Sequence, residues 1–151
     1  MAIDTSVIGT RSPELTVEVE RGRLREFART IGETDPIYTE VAAARAAGHP
    51  DLPVPPTFLF CLEMERPDPF DYVRTLGVDL GHLLHGEQSF TYHAMAHAGD
   101  RLTFDSRLTD VYSRKSGALD FLVRTTDVTC HGAPIARLTT VLVVRNPEAA
   151  P

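Results

Sequence analysis

Residues 31 to 40, IGETDPIYTE, place two carboxylates and a phenol within six consecutive positions. Glu33 and Asp35 are the kind of side chain that accepts and releases protons in general acid/base catalysis, and Tyr38 adds a hydrogen-bonding group. A glycine precedes this group and a proline lies inside it, and both residue types are common where a helix ends in a turn. The stretch is therefore either an acid/base loop or simply a helix exit.

The elements that position this stretch are helical in the first half of the chain. Apolar residues on one face predict an amphipathic helix over 22 to 31, and composition with a closing glycine predicts a short helix over 41 to 48. The stretch 57 to 65, TFLFCLEME, is apolar on nearly all sides, which is typical of a buried helix. Alternation over 14 to 20 indicates a short edge strand.

The second half of the chain changes to a period of two. Strands are predicted over 87 to 97, 101 to 112, 117 to 129 and 134 to 145, separated by the turn sequences AGD, SRKSG and HGAP. The last strand is apolar on both sides near its end, as expected for an interior strand. Short links between long strands predict an antiparallel meander.

These elements together predict an α+β hot-dog fold, in which a curved antiparallel sheet wraps a long buried central helix. The 151 residues are expected to form a single domain, with a core over about 14 to 145. An open sheet edge makes a dimer the default expectation, because pairing two edges removes the unpaired backbone groups.

Composition narrows the classes of partner. A formal charge of −6 disfavours a broad nucleic-acid surface, and two cysteines are too few for a disulfide framework. The first residues lack the apolar stretch of a signal peptide, and no segment approaches a membrane span. A cytoplasmic protein that binds a small molecule is therefore expected, with neither nucleic acid nor membrane as a partner.

Metal and nucleotide sites are not indicated. His93 and His97 would lie about 13 Å apart on a strand, from roughly 3.3 Å per residue, and so could not share one ion. His82, His85 and Glu87 form a lone HxxHxE pattern, which is weak evidence for a metal. The GxGxxG, Walker and GxSxG motifs are absent as well, which disfavours the usual dinucleotide-binding, nucleotide-binding and serine-hydrolase functions.

Three stretches carry a resemblance to a known family: REFARTIGETDPIYTEVAAARAAGHPDLPVPPTF, LHGEQSFTYHAMAHAGDRLTF and the closing strands. Over roughly residues 14 to 145 the chain resembles the MaoC-like hydratase/dehydratases, and most closely the N-terminal half of their double-domain members. The resemblance implies a hot-dog fold and reversible addition of water to a trans-2-enoyl thioester of coenzyme A or an acyl carrier protein. The product would be the (R)-3-hydroxyacyl thioester, and no cofactor is required.

The family's catalytic loop has the form G-D-x-N-P-x-H, in which the Asp and the His bracket one water molecule. Carried over by position, Glu33 replaces the Asp, Asp35 replaces the Asn and Tyr38 replaces the His, whereas Gly32 and Pro36 match. A tyrosine with a reference pKa of about 10 is a poor base at neutral pH, unlike a histidine with a pKa of about 6.5. The usual position of the imidazole is therefore vacant.

The resemblance places the sequence LLHGEQ near the ligand cleft. His85 is the best substitute for the missing base, with His82 just before it, although His85 could equally fix the loop through hydrogen bonds. Gly86 stands where the first long strand begins. Glu87 and Gln88 would then point to opposite faces of the sheet.

Further substrate-binding candidates follow from the family chemistry. After Pro56, the first N–H groups of the central helix, at Thr57 and Phe58, could hold the thioester oxygen as enolate charge develops. The same sequence could instead only start the helix, with Thr57 as its cap. Most basic residues of the strand half are expected to be solvated, but Arg114 and Lys115 lie in a turn where they could bind a coenzyme phosphate.

Three functions remain open at this stage. The first is a homodimeric hydratase or dehydratase with an acid/base set drawn from Glu33, Asp35 and His85. The second is a non-catalytic or substrate-binding subunit of a heteromer, whose MaoC-like partner carries the Asp and the His. The third is a hot-dog thioesterase, which is suggested only by the shared fold.

Overall fold

A computed structural model describes residues 3–146, which form one five-stranded antiparallel sheet with short helices. The strands lie in the order β1-β3-β4-β5-β2 across the sheet. Their bounds are β1 Leu15–Glu18, β2 Leu83–Tyr92, β3 Arg101–Arg114, β4 Leu119–Cys130 and β5 Ala133–Arg145.

The strand order differs from a simple meander. β3, β4 and β5 are joined by tight hairpins as predicted, and β5 is an interior strand, but β2 pairs with β5 at the sheet edge and does not touch β3. The strand predicted over 87 to 97 corresponds to β2, which starts at Leu83 and ends at Tyr92. Beyond it the chain pairs with the stretch before the central helix, where the N–H of Val54 donates to the carbonyl of Ala96 at 2.9 Å.

Four α-helices accompany the sheet: α1 Arg21–Thr30, α2 Val41–Ala46, α3 Phe58–Glu63 and α4 Asp71–Thr75. The first two lie close to their predicted positions. The central helix α3 has six residues and is shorter than predicted, and α4 follows the proline-rich stretch 66 to 70, in a part of the chain where no helix is predicted from the sequence. No helix within residues 3–146 is long and apolar enough to cross a membrane.

The central helix lies against the concave face of the sheet. Phe58, Leu59 and Leu62 are buried in one cluster with side chains of β3 and β5, among them Leu102 and Leu138. A second apolar cluster, formed by α4 and the far ends of the long strands, closes the other end of the sheet. This arrangement confirms the α+β hot-dog fold.

Helix α1 fixes the start of the 31–40 stretch. Leu24 and Ala28 are fully buried, and the Phe27 ring lies 4.9 Å from the Phe58 ring of α3. The helix ends at Thr30, so the carboxylates of the following loop stand at a helix exit that is packed firmly onto the core.

Gly86 has a packing role in β2. The ladder with β5 shifts register between His85 and Glu87, which is a β-bulge. A Cβ atom at Gly86 would lie 2.7 Å from Cγ2 of Val143 and 3.2 Å from the carbonyl oxygen of Val141. Glycine therefore permits the close approach of β2 to β5, which accounts for this residue without a role in substrate binding.

Candidate active site

The two carboxylates of the 31–40 loop are used to shape the loop itself. Oε1 of Glu33 accepts hydrogen bonds from the N–H groups of Thr34 at 2.8 Å and Asp35 at 2.9 Å. Oδ1 of Asp35 accepts from the N–H of Ile37 at 3.0 Å and so caps the 3-10 turn Pro36–Tyr38. Both side chains therefore act as turn caps, as expected for acidic residues at a helix exit.

The phenol of Tyr38 is poorly suited to replace an imidazole. Partial burial of the side chain, reinforced by the charges of Glu33 and Asp35, raises the pKa of Tyr38 above its usual value. The hydroxyl stays protonated at neutral pH, and it can donate a hydrogen bond but cannot act as the general base.

The structure does not bring His85 to this loop. His85 lies on β2 with its ring 5.2 Å from the ring of Phe60 on α3. Within residues 3–146, no hydrogen bond or ion pair connects His85 with the 31–40 loop, and no hydrogen bond of its side chain fixes a loop. The cavity that His85 lines has no wall residue from this loop. His82 ends the 3-10 turn that precedes β2 and is exposed. The predicted acid/base set is therefore not assembled within this part of the chain.

The predicted oxyanion donors are both occupied. The N–H of Thr57 donates to the hydroxyl oxygen of Tyr92 at 2.9 Å, and the N–H of Phe58 donates to the carbonyl of Pro55 at 3.2 Å. The Thr57 side chain makes no capping hydrogen bond, and its backbone has φ 72°, which is unusual for a β-branched residue. Pro56 is exposed beside Tyr92 in a shallow groove.

The remaining candidates are distributed over the sheet. Glu87 is exposed and Gln88 points to the other face, where its Oε1 accepts from Oγ1 of Thr140 at 2.7 Å. Arg114 and Lys115 are exposed at the β3–β4 hairpin. Both cations are therefore accessible to a phosphate.

A cavity of about 200 Å³ lies under α3 and opens toward β2. Most of its wall is apolar and comes from α3, the segment before and after α4, and the inner face of the sheet. Its lining residues are Phe60, Glu63, Met64, Pro69, Phe70, Tyr72, Leu80, Leu83, His85, Arg124, Thr140 and Leu142.

Two charged residues of this cavity were not foreseen as site residues. Glu63 is 2% exposed and Arg124 is 6% exposed, with Oε1 of Glu63 3.4 Å from Nη1 of Arg124. Arg124 is an exception to the expectation that most basic residues of the strand half are solvated, because its guanidinium points to the concave side and stacks on the ring of Tyr72 at 4.7 Å. The sequence feature that indicates this buried pair is Glu63, a charged residue in an otherwise apolar helix.

Metal ligands are not gathered in residues 3–146, where no group of three or more His, Cys, Asp or Glu side chains could hold an ion. His93 is exposed beyond the end of β2, and Nε2 of His97 lies 3.2 Å from Nδ1 of His49. His97 therefore pairs with a residue that sequence analysis did not connect with it.

The family follows from comparison with known proteins. A family model described as the FAS1-like dehydratase domain region matches residues 6–138, which is most of the chain. The chain belongs to this family of hot-dog dehydratases.

Relatives of this chain match it over its whole length. It is 37% identical to a UPF0336 protein of Saccharopolyspora erythraea, over 100% of this chain and 97% of the relative. The chain also matches the C-terminally truncated HadBC (3R-hydroxyacyl-ACP dehydratase) complex from Mycobacterium tuberculosis, with a TM-score of 0.77 and 28% identity over 91% of this chain and 96% of the other.

A MaoC-like dehydratase gives a TM-score of 0.76 and 25% identity, over 94% of this chain but 42% of the longer one. These likenesses confirm the predicted membership of the MaoC-like group. They also show that one hot-dog unit of this kind occurs both as a chain of similar length and as part of a longer chain.

Proposed function

We propose that this chain is the substrate-binding subunit of a heteromeric MaoC-like dehydratase, and that its partner supplies the acid/base groups. The reaction is the reversible addition of water to a 2-enoyl thioester of coenzyme A or an acyl carrier protein. The hydroxyl group adds to C3, a proton adds to C2, and the reverse reaction releases water. The observation that carries the proposal is the use of both loop carboxylates, Glu33 and Asp35, as caps of their own turn.

The chemistry of hydration explains why this chain alone is not expected to catalyse the reaction. Hydration needs a base that deprotonates water, an acid that protonates C2, and donors for the thioester oxygen. In this chain Tyr38 stays protonated and His85 contacts a different part of the molecule. The N–H groups of Thr57 and Phe58 already have acceptors. A chain that is active alone through Glu33, Asp35 and His85 is therefore the weaker alternative.

The exposed edge strand β2 supports the proposal that the chain binds a partner. A long unpaired edge is prone to pair with another chain, and β2 has ten residues whose side chains are mostly exposed. Of the six large apolar side chains exposed in residues 3–146, four lie between positions 80 and 95: Leu80, Leu84, Tyr92 and Met95. The HadBC complex, by its description, assembles as a (3R)-hydroxyacyl-ACP dehydratase. We infer that a second MaoC-like chain, or a second copy of this one, pairs along β2.

The contribution of this subunit is the acyl cavity. The cavity opens beside His85 on β2, at the edge proposed to meet the partner, and its apolar wall suits the chain of a thioester. Arg114 and Lys115 are accessible to a phosphate of the carrier, since both are exposed at a hairpin. Gln88, which shares the cavity face of the sheet with Thr140, is proposed to orient the entering chain, whereas Glu87 lies on the opposite face.

The test compares the chain alone with the chain mixed with a MaoC-like protein that carries the intact G-D-x-N-P-x-H loop. Crotonyl and longer enoyl thioesters are supplied, and the enoyl absorbance is followed. We expect the chain alone to leave the absorbance unchanged, because each missing acid/base group costs about 10²–10⁴-fold in rate. We expect the mixture to exceed the partner alone by at least about tenfold, because this chain supplies the cavity that positions the acyl chain.

Two outcomes would contradict the proposal. Loss of the enoyl absorbance with the purified chain alone would show a self-contained hydratase. Release of free thiol without hydration would instead support a thioesterase.

A further inference from the structure

The cavity under α3 has an exposed mouth and a buried polar end. His85 and Leu80 are exposed at one side. Arg124 and Thr140, at 6% and 7% exposed, lie at the other side with the buried Glu63. A chain that enters past β2 therefore meets apolar walls first and hydrogen-bonding groups last.

The buried end carries more positive than negative charge. Glu63 is the one carboxylate of the cluster, and its Oε1 accepts from the hydroxyls of Ser106 at 3.1 Å and Thr126 at 2.5 Å. Two guanidinium groups face it, those of Arg124 and Arg66. Charge buried without compensation is costly, so an additional anionic group would be favourable here.

Hydrogen-bond donors of Arg124 remain available. The recorded polar contacts of Arg124 are 3.4 Å to Glu63 and 3.4 Å to Oγ of Ser12, which are long for charge-assisted hydrogen bonds of about 2.7–2.9 Å. Nε of Arg66 is buried without a partner. The other two nitrogens of Arg66 already donate to protein oxygens, and burial, followed by repulsion from Arg124, lowers the pKa of this guanidinium.

We propose that the cavity selects acyl chains whose far end carries a carboxylate, and that Arg124 binds this carboxylate. The inference rests on the proposed function, because it treats the cavity as the site of the acyl chain. A volume of about 200 Å³ holds six or seven groups of the size of a water molecule, each of which takes about 30 Å³ of liquid volume. The chain is therefore of medium length, and the hydroxyl of Thr140 and the ring of Tyr72 lie alongside its far end.

The experiment is isothermal titration calorimetry of the full chain with N-acetylcysteamine thioesters at pH 7. Adipoyl and suberoyl thioesters, which end in a carboxylate, are compared with hexanoyl and octanoyl thioesters of the same length. A third arm uses the methyl esters of the two dicarboxylic chains, which remove the charge and keep the chain. We expect the free carboxylates to bind at least about tenfold more tightly than either comparison, since hydrogen bonds between charged groups are among the strong ones.

The variants assign the effect to one residue. Arg124→Gln is expected to abolish the preference, whereas Arg137→Gln, a matched substitution at an exposed arginine of β5, is expected to retain it. A preference that survives in Arg124→Gln would overturn the assignment. Equal or tighter binding of the methyl-ended chains to the unaltered protein would overturn the proposal, even if Arg124→Gln fails to fold.

Failure of this inference is distinguishable from failure of the proposed function. A carboxylate preference in a chain that adds nothing to turnover by the MaoC-like partner would contradict the subunit role and leave the cavity assignment in place. Stimulated turnover with no carboxylate preference would contradict the cavity assignment and leave the subunit role in place.

Discussion

Replacement of Glu63 by glutamine is expected to lower the free energy of unfolding by about 3–5 kcal/mol, the usual cost of removing one partner of a buried ion pair. Glutamine keeps the length of the side chain and an acceptor oxygen for Ser106 and Thr126, so that packing changes little. The loss is one of charge, because the buried Arg124 would then have no carboxylate beside it, while the half-buried Arg66 would still repel it. Urea unfolding followed by circular dichroism measures the difference.

The matched control lies two residues further along the chain. Glu65 is paired with Arg23 near the surface, and surface ion pairs contribute about 0–1 kcal/mol. Glu65→Gln is therefore expected to change the free energy of unfolding by less than about 1 kcal/mol. Equal effects of the two substitutions would show that the buried charge of Glu63 does not stabilise the fold.

The second large effect concerns the edge strand. The double substitution Leu84→Asp with Met95→Asp places two charges among the exposed apolar side chains on and beside β2. Full burial of a leucine or methionine side chain is worth about 1.5–3 kcal/mol, so we expect association with the MaoC-like partner to weaken by at least about 100-fold. Sedimentation equilibrium of the mixture, and of this chain alone for a homodimer, gives the constants.

The control uses the two large apolar side chains of residues 3–146 that are exposed outside positions 80 to 95. Ile8 is 42% exposed and Ile31 is 54% exposed, and neither lies on β2. Ile8→Asp with Ile31→Asp adds the same charge to the chain and is expected to leave association within a few-fold. A greater loss in this control than in the β2 variant would place the interface elsewhere.

The local elements of this fold are largely predictable from sequence. Helix α1 and strands β3 to β5 have clear periods of 3.6 and 2, and their predicted bounds lie within about two residues of those observed. The position of β2 could not be obtained in this way, because pairing with β5 is a long-range contact that leaves no local pattern. The residues after Tyr92 continue to alternate in type, but the next two N–H groups both donate to the carbonyl of Ile135, and pairing with the 52–54 stretch begins at Ala96.

The candidate site was predictable only in part. The helix exit after α1 and the capping potential of its acidic residues follow from residue type, and the structure shows Glu33 and Asp35 in that role. The relation between His85 and this loop depends on tertiary packing, and the structure separates them. The buried pair of Glu63 and Arg124 was missed because periodicity assigns charged side chains to solvent, whereas here each compensates the other in the interior.

The central claim is that the carboxylates of the 31–40 loop are structural and the acid/base groups belong to the partner. The most direct test is kcat of the mixed complex in which this chain carries Glu33→Gln and Asp35→Asn together. The amide side chains keep the acceptor oxygens that cap the turn and remove only the charges. We predict a kcat within about twofold of the unaltered complex, whereas a fall of about 10²-fold or more, the usual effect of losing an acid/base group, would contradict the claim.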